Sequence, residues 1–315
     1  MFPVINNYFL QGSIMLRSLS TFFYQRKTLA LLLLLAPALL WLGVIYLGSL
    51  LALLLQSFFR LDDFTGQVVR EFSLSSYRQL FSSANLAVIG RTVGMAAIVT
   101  LASIVVAFPL AYSIAKTSSP TLRSILYLLV LMPLWSSYIV RVYAWKLILA
   151  KEGVFNWVVQ QLNLDGVLNA FLALPFVGGP SLSISATGTF LVFLYIWLPY
   201  MILPIAASLE RIPKNLLEAS SDLGGKPNLT FWHVIMPLTV PGIAAGSIFT
   251  FSLTLGDYII PGIVGNSQPF IGQVVLIQQG TAGNIPLAAA FTVVPIVIMA
   301  IYLLIARRLG AFDAL

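Results

Sequence analysis

The sequence predicts an all-α polytopic membrane protein with six transmembrane helices, and three observations carry that expectation. Hydrophobic residues make up 59% of the 315-residue chain and charged residues 9%, against roughly 25% charged in soluble domains. Six apolar runs approach or exceed the ~20 residues that cross a bilayer. The basic residues stand at the ends of those runs, where they set orientation. The chain has no cysteine, which excludes a disulfide framework and a thiolate metal centre. Its one histidine, His233, cannot hold a metal alone, so no metal site is expected. The formal charge is +7, but the lysines and arginines form no patch. The expected surroundings are therefore the lipid bilayer and not nucleic acid.

Residues 1–27 read as a polar cytoplasmic leader carrying Arg17, Arg26 and Lys27, ahead of a permease domain over 28–308 and a short cytoplasmic tail over 309–315. The first span covers 28–56. Its Ala36-Pro37-Ala38 imitates a signal-peptidase site but lies inside the apolar run, so the span is read as uncleaved. Arg60, Asp62, Asp63, Arg70, Glu71 and Arg78 mark an external segment with a short interfacial helix within 64–80. The second span runs over 86–115, with Arg91 near its outer end, and Ser118-Ser119-Pro120 makes a turn. The third begins near Arg123. Taken as one straight helix, it rises ~27 Å by Arg141 and places that residue at the outer boundary, followed by an amphipathic interfacial segment. Residues 151–183 form an external loop with a short helix over 154–162. The fourth, fifth and sixth spans cover 184–209, 234–260 and 285–305. Both termini then lie inside, with ten of the seventeen basic residues.

Between the fourth and fifth spans, within a cytoplasmic loop at 210–233, lies LEASSDLGGKPNLTFWHVIMPLTVP, residues 217–241. Glu218, Ala219 and Asp222 sit at helical spacing, and Gly224 and Gly225 stop the helix. Lys226-Pro227-Asn228 turns the chain, and a second short run reaches Pro237. The chain has no G-x-x-x-x-G-K-[ST] loop for ATP and no G-x-S-x-G or H-E-x-x-H pairing. It is read as a non-enzyme with no catalytic residues.

Glu218-Ala219-Ser220, Gly224, Val234, Met236 and Pro237 resemble the E-A-A-x-x-x-G-x(9)-I-x-L-P signature of permease subunits of binding-protein-dependent ABC importers. Ser220, Val234 and Met236 are conservative departures from it. Residues 131–145, LMPLWSSYIVRVYAW, together with Gly256-Asp257 through Pro261 and Ile271-Gly272, are similar to permeases of spermidine/putrescine-type importers, a likeness extending from about Leu29 to Leu315. The resemblance implies a type I importer permease fold in a bacterial inner membrane. It also implies a second homologous permease, two ATPase subunits that bind the ATP and magnesium, no cofactor in this chain, and a periplasmic substrate-binding protein. Glu218, Ala219, Ser220, Asp222, Gly224 and Pro237 would couple the chain to the ATPases.

Asp257 lies toward the outer end of the fifth span, where a charge is costly unless it faces water, a partner or substrate. It is either an anionic contact for a translocated ammonium group, helped by the faces of Trp135, Tyr138, Tyr143 or Tyr258, or a cap or ion pair with Arg141. Arg141 leaves the substrate open: a polyamine gains nothing from it, whereas an amino acid such as 4-aminobutyrate or 5-aminovalerate could pair its carboxylate with Arg141 and its amine with Asp257. Snorkelling to lipid phosphate is the other reading of Arg141, and an interfacial belt that of the aromatics. Pro241-Gly242-x-x-x-Gly246 marks either a bending gate helix or close helix packing. A self-sufficient secondary carrier is the alternative function.

Overall fold

A computed structural model describes residues 27–62, 64–117, 119–175 and 178–308. The leader with Arg17 and Arg26, the tail over 309–315, Asp63 and Ser118 lie outside the described residues. The chain divides into two units, Met1–Gln56 and Ser57–Leu315.

The first unit is a helix, α1 (Lys27–Leu40), a π-helical turn (Trp41–Leu47) and α2 (Gly48–Gln56). Leu31–Gln56 is long and apolar enough to cross a membrane. It is apolar on every side and none of its described residues is buried, as expected of a span whose solvent is lipid.

The second unit opens with a two-residue hairpin, β1 (Arg60–Leu61) against β2 (Val68–Val69), which the sequence did not reveal because the strands are too short to show alternation. Gly66 takes φ 65° in its turn. The Asp62 carboxylate accepts the Phe64 N–H at 3.0 Å, a bond that holds its pKa below the ordinary carboxylate value. The short helix expected within 64–80 is α3 (Ser75–Leu80).

Three long helices form the core. Helix α4 (Ser83–Lys116) starts where the Ser82 hydroxyl accepts the Asn85 N–H. It buries Val88, Thr92, Ala96, Val99, Ser103, Ala107, Ala111 and Ile114, a stripe at steps of three and four residues that is mostly small. Helix α9 (Ala186–Glu210) and the helical run 227–256 pack on that stripe and on each other. The 227–256 run comprises α11 (Pro227–Thr230), a π-helical turn (Phe231–Ile235) and α12 (Met236–Gly256). Pro227 is the first residue of this helix and not part of the turn before it, consistent with the preference for proline at N1. Gly242 and Gly246 meet α9: a Cβ on Gly242 would lie 2.5 Å from the Pro204 carbonyl oxygen, and one on Gly246 would lie 2.7 Å from Met201 Sδ. The glycine spacing thus serves close packing. Helix α15 (Ile285–Arg308) joins through Tyr302, which stacks on Phe251 at 4.7 Å and donates to Ser247 Oγ at 2.7 Å.

The third span departs from the straight helix expected through Arg141. Helix α5 (Pro120–Trp135) ends after sixteen residues, and α6 (Tyr138–Ile148) leaves it bent by 94°. Pro133 withholds an N–H from the last turn and Ser136 is extended at ψ 152°. The rise therefore stops at Trp135, and the ~27 Å reckoned to Arg141 at 1.5 Å per residue does not apply. Five helices among the described residues are long and apolar enough to cross a membrane, and a sixth is reached when α5 and α6 count as one bent span.

The connecting loop holds α7 (Val154–Gln161), close to expectation, and a second helix, α8 (Asp165–Leu172). Helix α10 (Lys214–Asp222) follows α9, and α13 (Ile259–Ile263) and α14 (Ile271–Gln279) link α12 to α15.

Replacing Gly246 by Leu should overpack the α9–α12 contact and cost ~1–3 kcal/mol, read as a lower thermal midpoint of the purified protein. Gly94→Ala, where an added Cβ meets nothing within 4 Å, should leave the midpoint unchanged or raise it.

Candidate functional site

Two groups of polar residues lie at opposite ends of the 227–256 helical run. At one end α12 stops at Gly256 and Asp257 takes an extended conformation, ψ 134°. Breaking the helix exposes backbone N–H groups at the start of α13, and Asp257 Oδ1 accepts those of Ile259 at 2.7 Å and Ile260 at 3.1 Å. Its second oxygen accepts the Tyr138 hydroxyl, from the first residue of α6. Asp257 is thus a cap. The expected ion pair with Arg141 is absent: among the described residues the salt bridges are Arg60–Glu71 and Arg123–Glu210.

The Tyr138 ring stacks on Trp197 with centroids 5.8 Å apart, and Trp197 meets Tyr200 edge-on at 5.8 Å. A cleft of about 350 Å³ opens here, lined by Tyr138, Trp197, Ser252, Gly256, Asp257 and Tyr258 together with Leu253 and Ile259. Among the described residues, no lysine or arginine lines it. Arg141 is not among the lining residues, and its guanidinium Cζ lies 6.0 Å from the Tyr138 ring centre. Its Nε and Nη1 are buried without a hydrogen-bond partner, as is Trp197 Nε1.

Of the six residues expected along the pathway, the structure gathers Tyr138, Asp257 and Tyr258 in the cleft. Trp135 and Tyr143 are 74% and 50% exposed and do not line it. Arg141 touches it only through Tyr138. Trp197 was missed at the sequence level, although a tryptophan in mid-span two residues before a proline was a visible signal.

At the other end of the run, α10 closes in a Schellman motif. Gly225 N–H bonds to the Ser220 carbonyl at 2.8 Å and Gly224 N–H to that of Ser221 at 2.9 Å, with Gly224 at φ 77°. Glycine meets that positive φ without Cβ strain. Ser220 Oγ bonds Thr230 Oγ1 at 2.8 Å, fastening α10 to α11. Leu217 packs against the cluster that contains Ala111, Ile205, Leu209 and Ile235. The opposite side of the helix presents Glu218, Ala219 and Asp222 to the exterior, and Leu223 beyond it is 89% exposed. Pro237 is exposed at the start of α12.

Beside α10 lies a cleft of about 520 Å³ lined by Lys116, Arg123, Glu210, Lys214 and Glu218 among others. Glu210, the last residue of α9, accepts from Arg123 Nε at 3.0 Å and from Tyr127 OH at 2.6 Å, pinning α5 to the α9 terminus. That pairing joins residues 87 apart in sequence, so spacing alone could not reveal it. His233 Nδ1 lies 3.1 Å from the Leu229 carbonyl oxygen.

Helices long and apolar enough to cross a membrane, a cleft around Asp257 at one end of the 227–256 run and an outward-facing amphipathic helix at the other are the architecture of a multi-pass membrane permease. The family profile described as "Binding-protein-dependent transport system inner membrane component" matches residues 97–311, and the chain belongs to that family. It is 55% identical over 300 residues to the inner membrane ABC transporter permease protein YdcU of Escherichia coli K12, covering 95% of this chain and 96% of the relative. It is 31% identical over 253 residues to the spermidine/putrescine transport system permease protein PotB of the same strain, covering 80% and 87%. A crystal structure of a bacterial ABC transporter involved in import of the acidic polysaccharide alginate contains a chain with the same fold, at TM-score 0.67 and 18% identity, covering 92% of this chain and 99% of that one. A structure of a bacterial alginate ABC transporter with its periplasmic protein gives TM-score 0.70 at 15% identity, covering 90% and 95%. The protein is therefore a multi-pass ABC importer permease and a transporter component, which sets aside the self-sufficient carrier.

The cap predicts a contrast between two substitutions. Asp257→Ala, which removes the acceptor for two backbone N–H groups, should lower stability by ~0.5–2 kcal/mol. Asp257→Asn keeps an acceptor oxygen and should retain most of it, as measured by thermal unfolding in detergent.

Proposed function

We propose that this chain forms half of the translocation pathway of an importer for a small amine of the putrescine or spermidine kind. A periplasmic binding protein delivers the amine, a second homologous permease completes the pathway, and two ATPase subunits, carrying the ATP and magnesium, drive it. In this reading both termini and the 210–233 loop face the cytoplasm, and the Asp257 cleft opens toward the periplasm. The observation that carries the substrate class is the cleft itself. A carboxylate shares the lining with Tyr138, Trp197 and Tyr258, and no basic residue is among the described lining residues, a setting that attracts an ammonium group by charge and by cation–π contact, the latter worth ~0.5–2 kcal/mol. The relation to PotB supports the same class.

A second reading, an amino acid such as 4-aminobutyrate or 5-aminovalerate, is favoured by Arg141, whose buried guanidinium nitrogens have no partner. The two are separated by thermal-shift measurements on the cognate binding protein with putrescine, spermidine, 4-aminobutyrate and 5-aminovalerate, since a bound ligand raises the midpoint. The amine reading expects a rise with the diamines or triamines alone, and a rise with the amino acids alone overturns it.

Coupling is assigned to Glu218, Ala219, Ser220, Asp222, Gly224 and Pro237. The support is a helix fixed to the bundle by Leu217 and Ser220 while its acidic face stays outward. Glu218→Lys should abolish ATP-driven uptake in vesicles while leaving the permease folded. Uptake at the unsubstituted rate would refute the assignment.

A further inference from the structure

Helix α5 is held to the bundle mainly at its two ends. None of its residues is buried, and Leu126 and Val130 are only half-buried where they rest on the cluster containing Ala111, Ile205 and Leu209. Lipid supplies no hydrophobic drive that would keep such a helix in place. At one end Arg123 and Tyr127, four residues apart and so on one side of the helix, both donate to Oε1 of Glu210, at 3.0 Å and 2.6 Å. Hydrogen bonds to a charged acceptor are the stronger kind. At the other end, beyond the 94° bend, α6 is braced on α9 by two aromatic pairs, Tyr138 on Trp197 at 5.8 Å and Trp145 on Tyr195 at 5.0 Å. Glu210, Trp197 and Tyr195 all belong to α9, so α5, α6 and α9 form a bracket closed at both ends.

A second path leads away from α10. Ser220 fastens α10 to α11, and the 227–256 run continues from there to Asp257. Between Glu210 and α10 lie only Arg211, Ile212 and Pro213, with Pro213 extended at ψ 137°. The bracket and the run therefore diverge at this short connection. They meet again at the hydrogen bond that Tyr138 of the bracket donates to Asp257 at the end of the run. We propose that Glu210 is a positioning residue of the transport cycle: held by Arg123 and Tyr127, it keeps the bracket rigid, so that a displacement of α10 moves the 227–256 run against Tyr138 and reshapes the Asp257 cleft. Rigid bodies joined through a few connecting residues convert a local push into such relative motion. With the clamp broken, α5 and α6 follow the run, and the cleft keeps its shape while ATP is hydrolysed. The inference rests on the coupling role proposed for α10, and it adds the third span to the parts that coupling requires.

Because the chain has no cysteine, Ser252→Cys gives it a single thiol, placed in the lining of the cleft. The full chain is purified with the subunits that accompany it and reconstituted in lipid nanodiscs. The reaction rate of the thiol with a membrane-impermeant maleimide is compared without nucleotide and with ATP, magnesium and vanadate. The two rates should differ several-fold. Adding Glu210→Ala should make them equal while the complex still hydrolyses ATP at close to the parent rate, and Arg123→Glu should do the same. The double variant Arg123→Glu/Glu210→Arg restores the pair with its charges exchanged and should recover the difference, a rescue that a merely structural loss at either position would not give. A difference that persists in Glu210→Ala, failure of the exchanged pair to recover it, or loss of hydrolysis along with it overturns the inference and leaves coupling through α10 standing. Equal rates in the Ser252→Cys parent overturn both. The measurement is independent of the substrate carried.

Discussion

The carboxylate of Asp257 carries more of this structure than any other single group. Inside a bilayer every backbone N–H and C=O must find a partner within the protein, and the chain between α12 and α14 is the place where helical bonding lapses. Asp257 takes two of the freed N–H groups and ties them to Tyr138 on α6. Three further backbone groups of the stretch pair with long-range side chains. Thr92 Oγ1 accepts the Ile271 N–H at 3.0 Å, Thr189 Oγ1 donates to the Val264 carbonyl at 2.9 Å, and Arg91 donates to that of Pro269 at 2.7 Å. Irregular backbone is tolerated here because α4 and α9 supply its hydrogen bonds, and the irregularity is what opens a cleft.

The three-helix core makes that supply possible. Small residues along α4 and the two glycines of α12 bring backbones close enough for short side chains such as serine and threonine to reach across. Lipid offers no hydrophobic drive between helices, so tight packing of this kind must hold them together. The 227–256 run then joins the two functional ends as one helical path, interrupted only by the π-helical turn before Pro237. Its lower end is fastened to α10 through Ser220 and Thr230, and its upper end terminates at Asp257.

Much of this was legible in the sequence. The stop of α10 at Gly224 followed from glycine chemistry, and the spans, apart from the third, followed from apolar length and flanking charge. The third span was misread because Pro133 and the two serines after Trp135 mark a break without giving its angle, and a bend of 94° arises only when α6 packs against α9 and α13. The cleft was half legible. Asp257 and Tyr138 stood out as a charge and an aromatic near a span end, but Trp197, Ser252 and the absence of Arg141 from the lining depend on how helices rotate against one another.

The sequence by itself determined the solvent, the helical class, the importer family signature and the glycine-stopped helix of the 217–241 stretch, because each rests on composition or on spacing within a few turns. Only the tertiary structure decided what Asp257 bonds, which aromatics share its cleft, and the 94° at which α6 leaves α5. Those depend on contacts between segments far apart in the chain, fixed by packing that no local pattern encodes.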